Sequence, residues 1–138
     1  MKPSPAPDAV APATSVYKSR GGLGRIAAAA RYSWAGLAAA VRHEAAFRQE
    51  LVLGVPMVLL AGLVAPTALQ ALALVAVVVL VWIVELLNSA VEAVADAVDA
   101  GYHPLLGRAK DLGSAAVMLS LLLAAATWIV VVGARFVG

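Results

Sequence analysis

Two long stretches of this sequence contain no charged residue. The first covers 34 residues, 51–84, and the second covers 23 residues, 112–134. A helix needs about 20 apolar residues to cross the hydrocarbon core of a bilayer. The second stretch therefore predicts one membrane-spanning helix. The first is too long for one span and contains the turn-prone segment Ala65-Pro66-Thr67, so it predicts a helical hairpin.

The composition agrees with an all-α membrane protein and excludes a soluble domain. Hydrophobic residues make up 63% of the 138 residues and charged residues only 13%, about half the charged share of soluble domains. The chain has no cysteine, which excludes disulfides, thiolate nucleophiles and thiolate metal sites. The length allows one domain. The predicted bounds are a disordered Pro/Ala-rich tail at 1–21 and a membrane domain at 22–138, with a surface helix at about 23–47 and spans at about 48–65, 68–98 and 111–134.

The segment before the first span has the pattern of an amphipathic helix. Apolar residues recur at helical spacing with basic residues between them, and Tyr32 and Trp34 are aromatic residues of the kind found at membrane interfaces. Such a helix is expected to lie on the membrane surface. The apolar positions are Leu23, Ile26, Ala30, Trp34, Leu37 and Val41, and the basic positions are Arg25, Arg31 and Arg42.

The basic residues predict the orientation of the chain in the membrane. Seven of the ten precede the first span, and Arg108 and Lys110 lie between the second and third spans. Arg135 is the only one after the third span. Because basic residues favour the cytoplasmic side, the N-terminus is expected in the cytoplasm and the C-terminus outside. The net charge of +2 is attributed to these flanks facing anionic lipid, and no nucleic-acid partner is expected.

The second span carries a polar stripe. At 100° per residue, Glu92 lies about 20° from Glu85, and Asp96 lies about 20° to the other side, with Asn88 flanking the same line. An ionised carboxylate near hydrocarbon costs several kcal/mol unless it is paired, bound to a metal or hydrated. A functional role is therefore predicted for Glu85 and Glu92. For Asp96 both a functional role and simple solvation in cytoplasmic water stay open, and Asp99 is expected to be solvated.

Charged residues from the other segments are expected at the same membrane boundary. Glu44 and Glu50 flank the entry to the first span, and Arg108, Lys110 and Asp111 precede the third. Carboxylates suit Mg²⁺, and basic side chains suit phosphate. The pattern predicts phosphoryl transfer at the membrane surface.

Three motifs in this order resemble the prokaryotic diacylglycerol kinase family, which consists of small integral-membrane lipid kinases. They are E-A-A-F-R-Q-E at 44–50, V-E-L-L-N-S-A-V-E-A-V-A-D at 84–96 and G-R-A-K-D-L-G-S-A-A-V at 107–117. The resemblance covers about 22–136. It implies ATP-dependent phosphorylation of diacylglycerol to phosphatidic acid in the bacterial cytoplasmic (inner) membrane. It also implies a homotrimeric helical bundle with active sites between neighbouring subunits.

The resemblance implies roles for individual residues. Glu85 matches the base that removes the proton from the lipid hydroxyl, and Asn88 supports the catalytic face. Glu44 and Glu92 match carboxylates that bind divalent metal, here Mg²⁺, together with ATP. The other ATP-binding positions are Arg25, Tyr32, Gly101, Tyr102, His103, Lys110 and Asp111. The lipid-binding positions, besides Glu85, are Arg25, Ser33, Trp34, Ala46, Gln49, Glu50 and Ser114.

Two other functions are alternatives at this stage. Related undecaprenol kinases share the glutamates, the asparagine and the A-K-D segment, although N-S-A and D-x-G-S-A are closer to the diacylglycerol branch. From a different class, a small proton-coupled transporter or assembly subunit would use Glu85 and Glu92 as a relay. That function predicts no ATP turnover and leaves Glu44, Lys110 and Asp111 without a role.

Overall fold

The structure, a computed structural model, describes residues 22–99, 101 and 103–137. It contains four helices: α1 (Gly22–His43), α2 (Ala45–Val64), α3 (Ala68–Val98) and α4 (Pro104–Val137). Three helices, over Ala45–Val64, Ala68–Val98 and Pro104–Arg135, are long and apolar enough to cross a membrane. The predicted all-α class with three candidate spans is therefore confirmed. The tail predicted at 1–21 lies outside the described residues.

Several helix boundaries differ from those expected, most of all the end of α1 and the start of α4. The helix α3 covers the same residues as the predicted second span, whereas α1 ends at His43, four residues before the predicted end at about 47. The helix α4 begins at Pro104, seven residues before the predicted start at 111. Proline suits the first position of a helix because its missing N–H would have no helical acceptor there, so α4 begins before the uncharged stretch.

The break between α1 and α2 falls at Glu44, whose backbone is extended with φ −96° and ψ 112°. Arg48 stabilises the break by donating hydrogen bonds to the carbonyls of Val41 and Arg42, both at 3.2 Å. The last carbonyls of a helix have no partner within the helix, and a cation is favourable at that end. The carboxylate of Glu44 makes no capping hydrogen bond.

The turn between α2 and α3 ends in a side-chain cap. The hydroxyl oxygen of Thr67 accepts a hydrogen bond from the backbone N–H of Gln70 at 3.3 Å and donates to its side-chain oxygen at 2.9 Å. A threonine with extended backbone at this position satisfies one of the free N–H groups of the first helical turn. The turn-prone segment at Ala65-Pro66-Thr67 thus separates the two helices of the hairpin.

The helix α3 packs against both α2 and α4. Gly54 of α2 allows a close approach, because a Cβ atom there would lie 2.7 Å from Cζ2 of Trp82 and 2.9 Å from Cγ1 of Val78. Small residues at such contacts let helix backbones come together in a membrane, where helix packing replaces the hydrophobic effect. At the opposite end of the bundle a small apolar core contains Ala61, Leu74 and Val131, with Val64, Ala65, Val75 and Trp128 packed against it.

The chain divides into two compact units, residues 1–35 and 36–138. The described part of the first, 22–35, is helical, and the Arg31 guanidinium carbon lies 5.4 Å from the centroid of the Tyr32 ring, within cation–π distance. The second unit contains the remainder of α1 and the helices α2, α3 and α4. The placement of α1 on a membrane surface stays a prediction.

Candidate active site

Glu85 is a buried carboxyl group on an otherwise apolar part of α3. Only 5% of its surface is exposed, and among the described residues Ser120 is the one other polar residue buried to this degree. Removing a carboxylate from water is costly unless other groups or a bound ion compensate. A buried glutamate at this position is therefore a strong candidate for a chemical role.

Three further glutamates interact with Glu85. Its carboxylate interacts electrostatically with those of Glu44, Glu50 and Glu92. Glu44 stands at the break before α2, Glu50 lies in the second turn of α2, and Glu92 lies two turns beyond Glu85 on α3. The structure therefore brings four predicted site residues together. Like charges repel one another, so a cation beside these carboxylates would reduce the repulsion.

Trp82 links α2 to α3 beside these carboxylates. Its indole N–H donates a hydrogen bond to the backbone carbonyl of Glu50 at 3.3 Å, and Gly54 makes room for the ring. One carboxylate oxygen of Glu50 is buried without a hydrogen-bond partner among the described residues. Glu50 also lines an apolar pocket of about 210 Å³ between the three long helices. The pocket is lined by Glu50, Leu53, Gly54, Met57, Val78, Val81, Trp82, Leu121, Ala124 and Ala125.

Asn88 connects the polar stripe to α4. Its amide nitrogen donates to a carboxylate oxygen of Glu92 at 3.2 Å. Its amide oxygen is buried and faces Gly113, at a position where a Cβ atom on Gly113 would overlap it. The side chain therefore bridges a candidate metal-binding carboxylate and the backbone of the neighbouring helix.

Lys110 of α4 lies on the same side of the bundle. Its ammonium nitrogen is 3.0 Å from a carboxylate oxygen of Asp96, and it also interacts electrostatically with Glu92. The exposed fractions of the two side chains are 39% for Lys110 and 65% for Asp96, so solvent screens the pair and it contributes little to stability. The carboxylate of Asp96 is thus exposed and paired with Lys110, and a functional role for it stays a prediction.

A polar crevice of about 220 Å³ adjoins this ion pair. The backbone N–H of Gly101 donates to the carboxylate of Asp99 at 2.8 Å, and Nδ1 of His103 accepts from the N–H of Leu105 at 3.3 Å. These local bonds shape the connection into α4. The lining residues are Ala95, Asp96, Asp99, Gly101, His103, Leu106, Gly107 and Lys110. Three predicted ATP-binding residues, Gly101, His103 and Lys110, thus share one crevice.

The described residues contain no group of three or more acidic or histidine side chains close enough to enclose a metal ion. The predicted pair of metal-binding carboxylates, Glu44 at the break before α2 and Glu92 on α3, interacts electrostatically with Glu85. Mg²⁺ in enzymes that use nucleotides is typically held by one or two carboxylates and by the phosphates of the substrate. Two carboxylates are therefore a suitable donor set for magnesium that arrives with a nucleotide.

The remaining predicted site residues that the structure describes are exposed. Ala46 and Gln49 are exposed on α2, and Asp111 and Ser114 are exposed on α4. Those of the first unit, Arg25, Tyr32, Ser33 and Trp34, are exposed on α1. Tyr102 lies outside the described residues.

Sequence reasoning did not identify three residues that shape the site, namely Arg48, Trp82 and Gly113. Trp82 was detectable as the one indole in an otherwise aliphatic stretch, and Gly113 as an isolated glycine within a helical pattern, which often marks a close backbone approach. The capping role of Arg48 had no signal, because the position of the helix break was not known.

The fold and the site define a small polytopic membrane protein with clustered carboxylates beside a lysine at one end of its helices. The sequence profile of the prokaryotic diacylglycerol kinase family matches residues 31–132, and the chain belongs to this family.

Individual relatives agree with this assignment. The chain is 48% identical to the diacylglycerol kinase of Escherichia coli strain K12 over 115 residues, which is 83% of this chain and 94% of the relative. It is 46% identical to the diacylglycerol kinase of Pseudomonas aeruginosa over 114 residues, or 83% and 93% of the two chains. It is 36% identical to that of Helicobacter pylori strain 26695 over 107 residues, or 78% and 84%.

Proposed function

We propose that this protein is an ATP-dependent diacylglycerol kinase that produces phosphatidic acid at the cytoplasmic surface of the bacterial inner membrane. The observation that carries the proposal is the buried carboxyl group of Glu85 on the apolar helix α3, which interacts electrostatically with the carboxylates of Glu44 and Glu92. The relatives that match most of the chain are named diacylglycerol kinases, which favours diacylglycerol over a polyprenol as the acceptor. A transporter finds no support among them.

In the proposed reaction, Glu85 accepts the proton of the free hydroxyl of diacylglycerol. The hydroxyl oxygen forms a bond to the γ-phosphorus of ATP, and the bond from that phosphorus to the bridging oxygen of ADP breaks. Phosphoryl transfer needs alignment of these groups and stabilisation of charge more than covalent work by the protein. Because the lipid hydroxyl stays near the membrane interface, the base has to lie at that depth, and Glu85 directly follows the uncharged stretch 51–84.

We assign Glu44 and Glu92 to magnesium-bound ATP, with Asn88 orienting Glu92. Glu92 lies seven residues after Glu85, a rise of about 10 Å along the helix, which suits a lipid hydroxyl at one level and a triphosphate at the next. Magnesium would neutralise charge on the phosphates and reduce the repulsion between the carboxylates. Further contacts to ATP are assigned to Arg25, Tyr32, Gly101, Tyr102, His103, Lys110 and Asp111.

We assign the lipid to the apolar pocket that Glu50 of α2 lines. The apolar pocket beside Glu50 suits hydrocarbon, and the single carboxylate at its edge suits a hydroxyl donor. The remaining lipid contacts are assigned to Arg25, Ser33, Trp34, Ala46, Gln49 and Ser114.

We infer that the active unit is a homotrimer whose sites lie between subunits, with α1 on the membrane surface. Family membership and the alanine-rich faces of the spans, which permit close helix packing, support this assembly. The distribution of basic residues supports a cytoplasmic N-terminus and an external C-terminus.

The test is the Glu85→Gln variant, which keeps the shape of the side chain but cannot accept the proton. The purified variant in mixed micelles is expected to bind magnesium–ATP like the wild type and to lose turnover, measured as transfer of radiolabelled phosphate to diacylglycerol. Near-normal rates would refute the assignment of the base. Offering undecaprenol beside diacylglycerol to the wild type tests the lipid acceptor.

A second pair of variants tests the metal assignment. Glu44→Gln and Glu92→Gln are each expected to raise the magnesium concentration needed for half-maximal rate, because each removes a charged ligand. Unchanged magnesium dependence in both variants would show that neither residue binds the metal. That result would not contradict the proposed kinase activity.

A further inference from the structure

Gly113 of α4 is in unusually close contact with α3. A Cβ atom on Gly113 would overlap the amide oxygen of Asn88 and would lie 3.3 Å from its Cγ and 3.8 Å from its Cα. On the same helix, the corresponding positions at Gly107 and Gly133 have no atom within 4 Å among the described residues, apart from their chain neighbours and the nearby backbone of α4. Of these three glycines of α4, only Gly113 lies where a side chain would collide with α3, and the group it would meet is Asn88.

The other end of the Asn88 side chain is engaged by Glu92. The amide nitrogen donates to the Glu92 carboxylate at 3.2 Å, and the amide oxygen is buried without a conventional hydrogen-bond partner among the described residues. In glycine a hydrogen occupies the place of Cβ, and this leaves room for the amide oxygen beside the backbone of α4. The carboxamide is thus confined between Gly113 and Glu92.

We propose that Gly113 is a positioning residue for phosphoryl transfer, which acts through Asn88 on Glu92. Because Gly113 has no side chain, the Asn88 carboxamide keeps the orientation in which it donates to Glu92. The inference rests on the proposed role of Glu92 with magnesium–ATP and adds a residue of α4 to that function. It also predicts that the effect of losing Gly113 appears at the nucleotide and not at the lipid.

The consequence of adding a methyl group at Gly113 follows from the flexibility of its neighbour. The overlapping oxygen is the end of a short side chain that rotates about two bonds, so rotation relieves the overlap with little change in helix packing. The same rotation moves the amide nitrogen away from Glu92 and breaks the hydrogen bond. Groups that orient a metal-binding carboxylate typically change metal affinity on the order of 10-fold or more when they are lost.

The experiment compares Gly113→Ala with Gly133→Ala as the matched control on the same helix. For each purified full-length variant, KM for magnesium–ATP, KM for diacylglycerol and the unfolding temperature are measured. Calorimetry with Mg²⁺ and a non-hydrolysable ATP analogue gives a readout independent of turnover. Gly113→Ala is expected to weaken magnesium–nucleotide binding on the order of 10-fold, with unchanged KM for lipid and a near-normal unfolding temperature. Gly133→Ala should match the wild type.

A double-mutant cycle with Asn88→Ala tests whether Gly113 acts through this side chain. Without the carboxamide there is nothing for the added methyl group to displace. The double variant is therefore expected to bind magnesium–nucleotide like Asn88→Ala alone. Effects that multiply in the double variant would overturn the inference, as would an unchanged nucleotide affinity in Gly113→Ala. If Gly113→Ala failed to fold while the double variant folded, the role of Gly113 would be packing and the inference would again fail.

Glu92→Gln separates this inference from the function on which it rests. If Glu92→Gln leaves magnesium–nucleotide binding unchanged in a chain that is otherwise an active kinase, the assigned role of Glu92 fails. If Glu92→Gln weakens that binding and Gly113→Ala does not, only the positioning role of Gly113 fails.

Discussion

Arg135 ties the end of α4 to the end of α2, far from the proposed active site. One guanidinium nitrogen donates to the carbonyls of Leu63 at 2.8 Å and Val64 at 3.2 Å. These carbonyls belong to the last turn of α2, where no helical N–H is available to them. Replacing Arg135 with glutamine removes the charge and shortens the side chain, so both hydrogen bonds are expected to be lost.

The size of the effect follows from this geometry. A hydrogen bond from a charged donor contributes about 1.5–3 kcal/mol when it is well shielded, and a cation at a helix C-terminus about 0.3–1 kcal/mol. Arg135 is exposed, so solvent screening reduces the total for both bonds to about 1–2 kcal/mol. For a chain of this size, such a loss lowers the unfolding temperature by about 5 °C.

The assay is thermal unfolding of the purified protein in detergent, followed by circular dichroism, together with kinase rates at low temperature. Arg135 lies about 37 Å along α4 from Lys110, so the rate of the folded variant should stay at the wild-type level. Arg135→Lys retains the charge without the planar group, so its unfolding temperature should lie between those of the wild type and Arg135→Gln. Equal unfolding temperatures for wild type and Arg135→Gln would refute the reasoning, as would a loss of rate without a loss of stability.

Two further predictions concern the packing and capping of the hairpin. Gly54→Ala would place a methyl group 2.7 Å from Cζ2 of Trp82, and this overpacking should cost about 1–3 kcal/mol. Its unfolding temperature should therefore be lower than that of Gly62→Ala, whose position is open. Equal unfolding temperatures for the two variants would argue against the close approach. Thr67→Ala removes the side-chain acceptor for the Gln70 N–H and should destabilise α3 by about 1 kcal/mol in chemical denaturation, whereas Thr67→Ser should not. Identical unfolding of both Thr67 variants would show that the cap contributes nothing.

Features that depend on one helix at a time could be predicted from the sequence. A chain in hydrocarbon has to satisfy its backbone hydrogen bonds internally, so the uncharged stretches predicted helices, and the bounds of α3 agree at both ends. The helical period places Glu85 and Glu92 on one face of α3 regardless of its neighbours. The family motifs then implied roles for these residues before any contact was known.

Contacts between helices were decided only by the tertiary structure. The hydrogen bond from Trp82 to Glu50, the contact of Asn88 with Gly113 and the ion pair of Lys110 with Asp96 each join residues from two helices. Such pairs depend on the rotation and relative depth of packed helices, which ridges, grooves and small residues along the whole contact determine together. The residue spacing that locates Glu85 therefore cannot reveal which helix confines Asn88, and the low charge content that marks a membrane protein cannot reveal which charges meet.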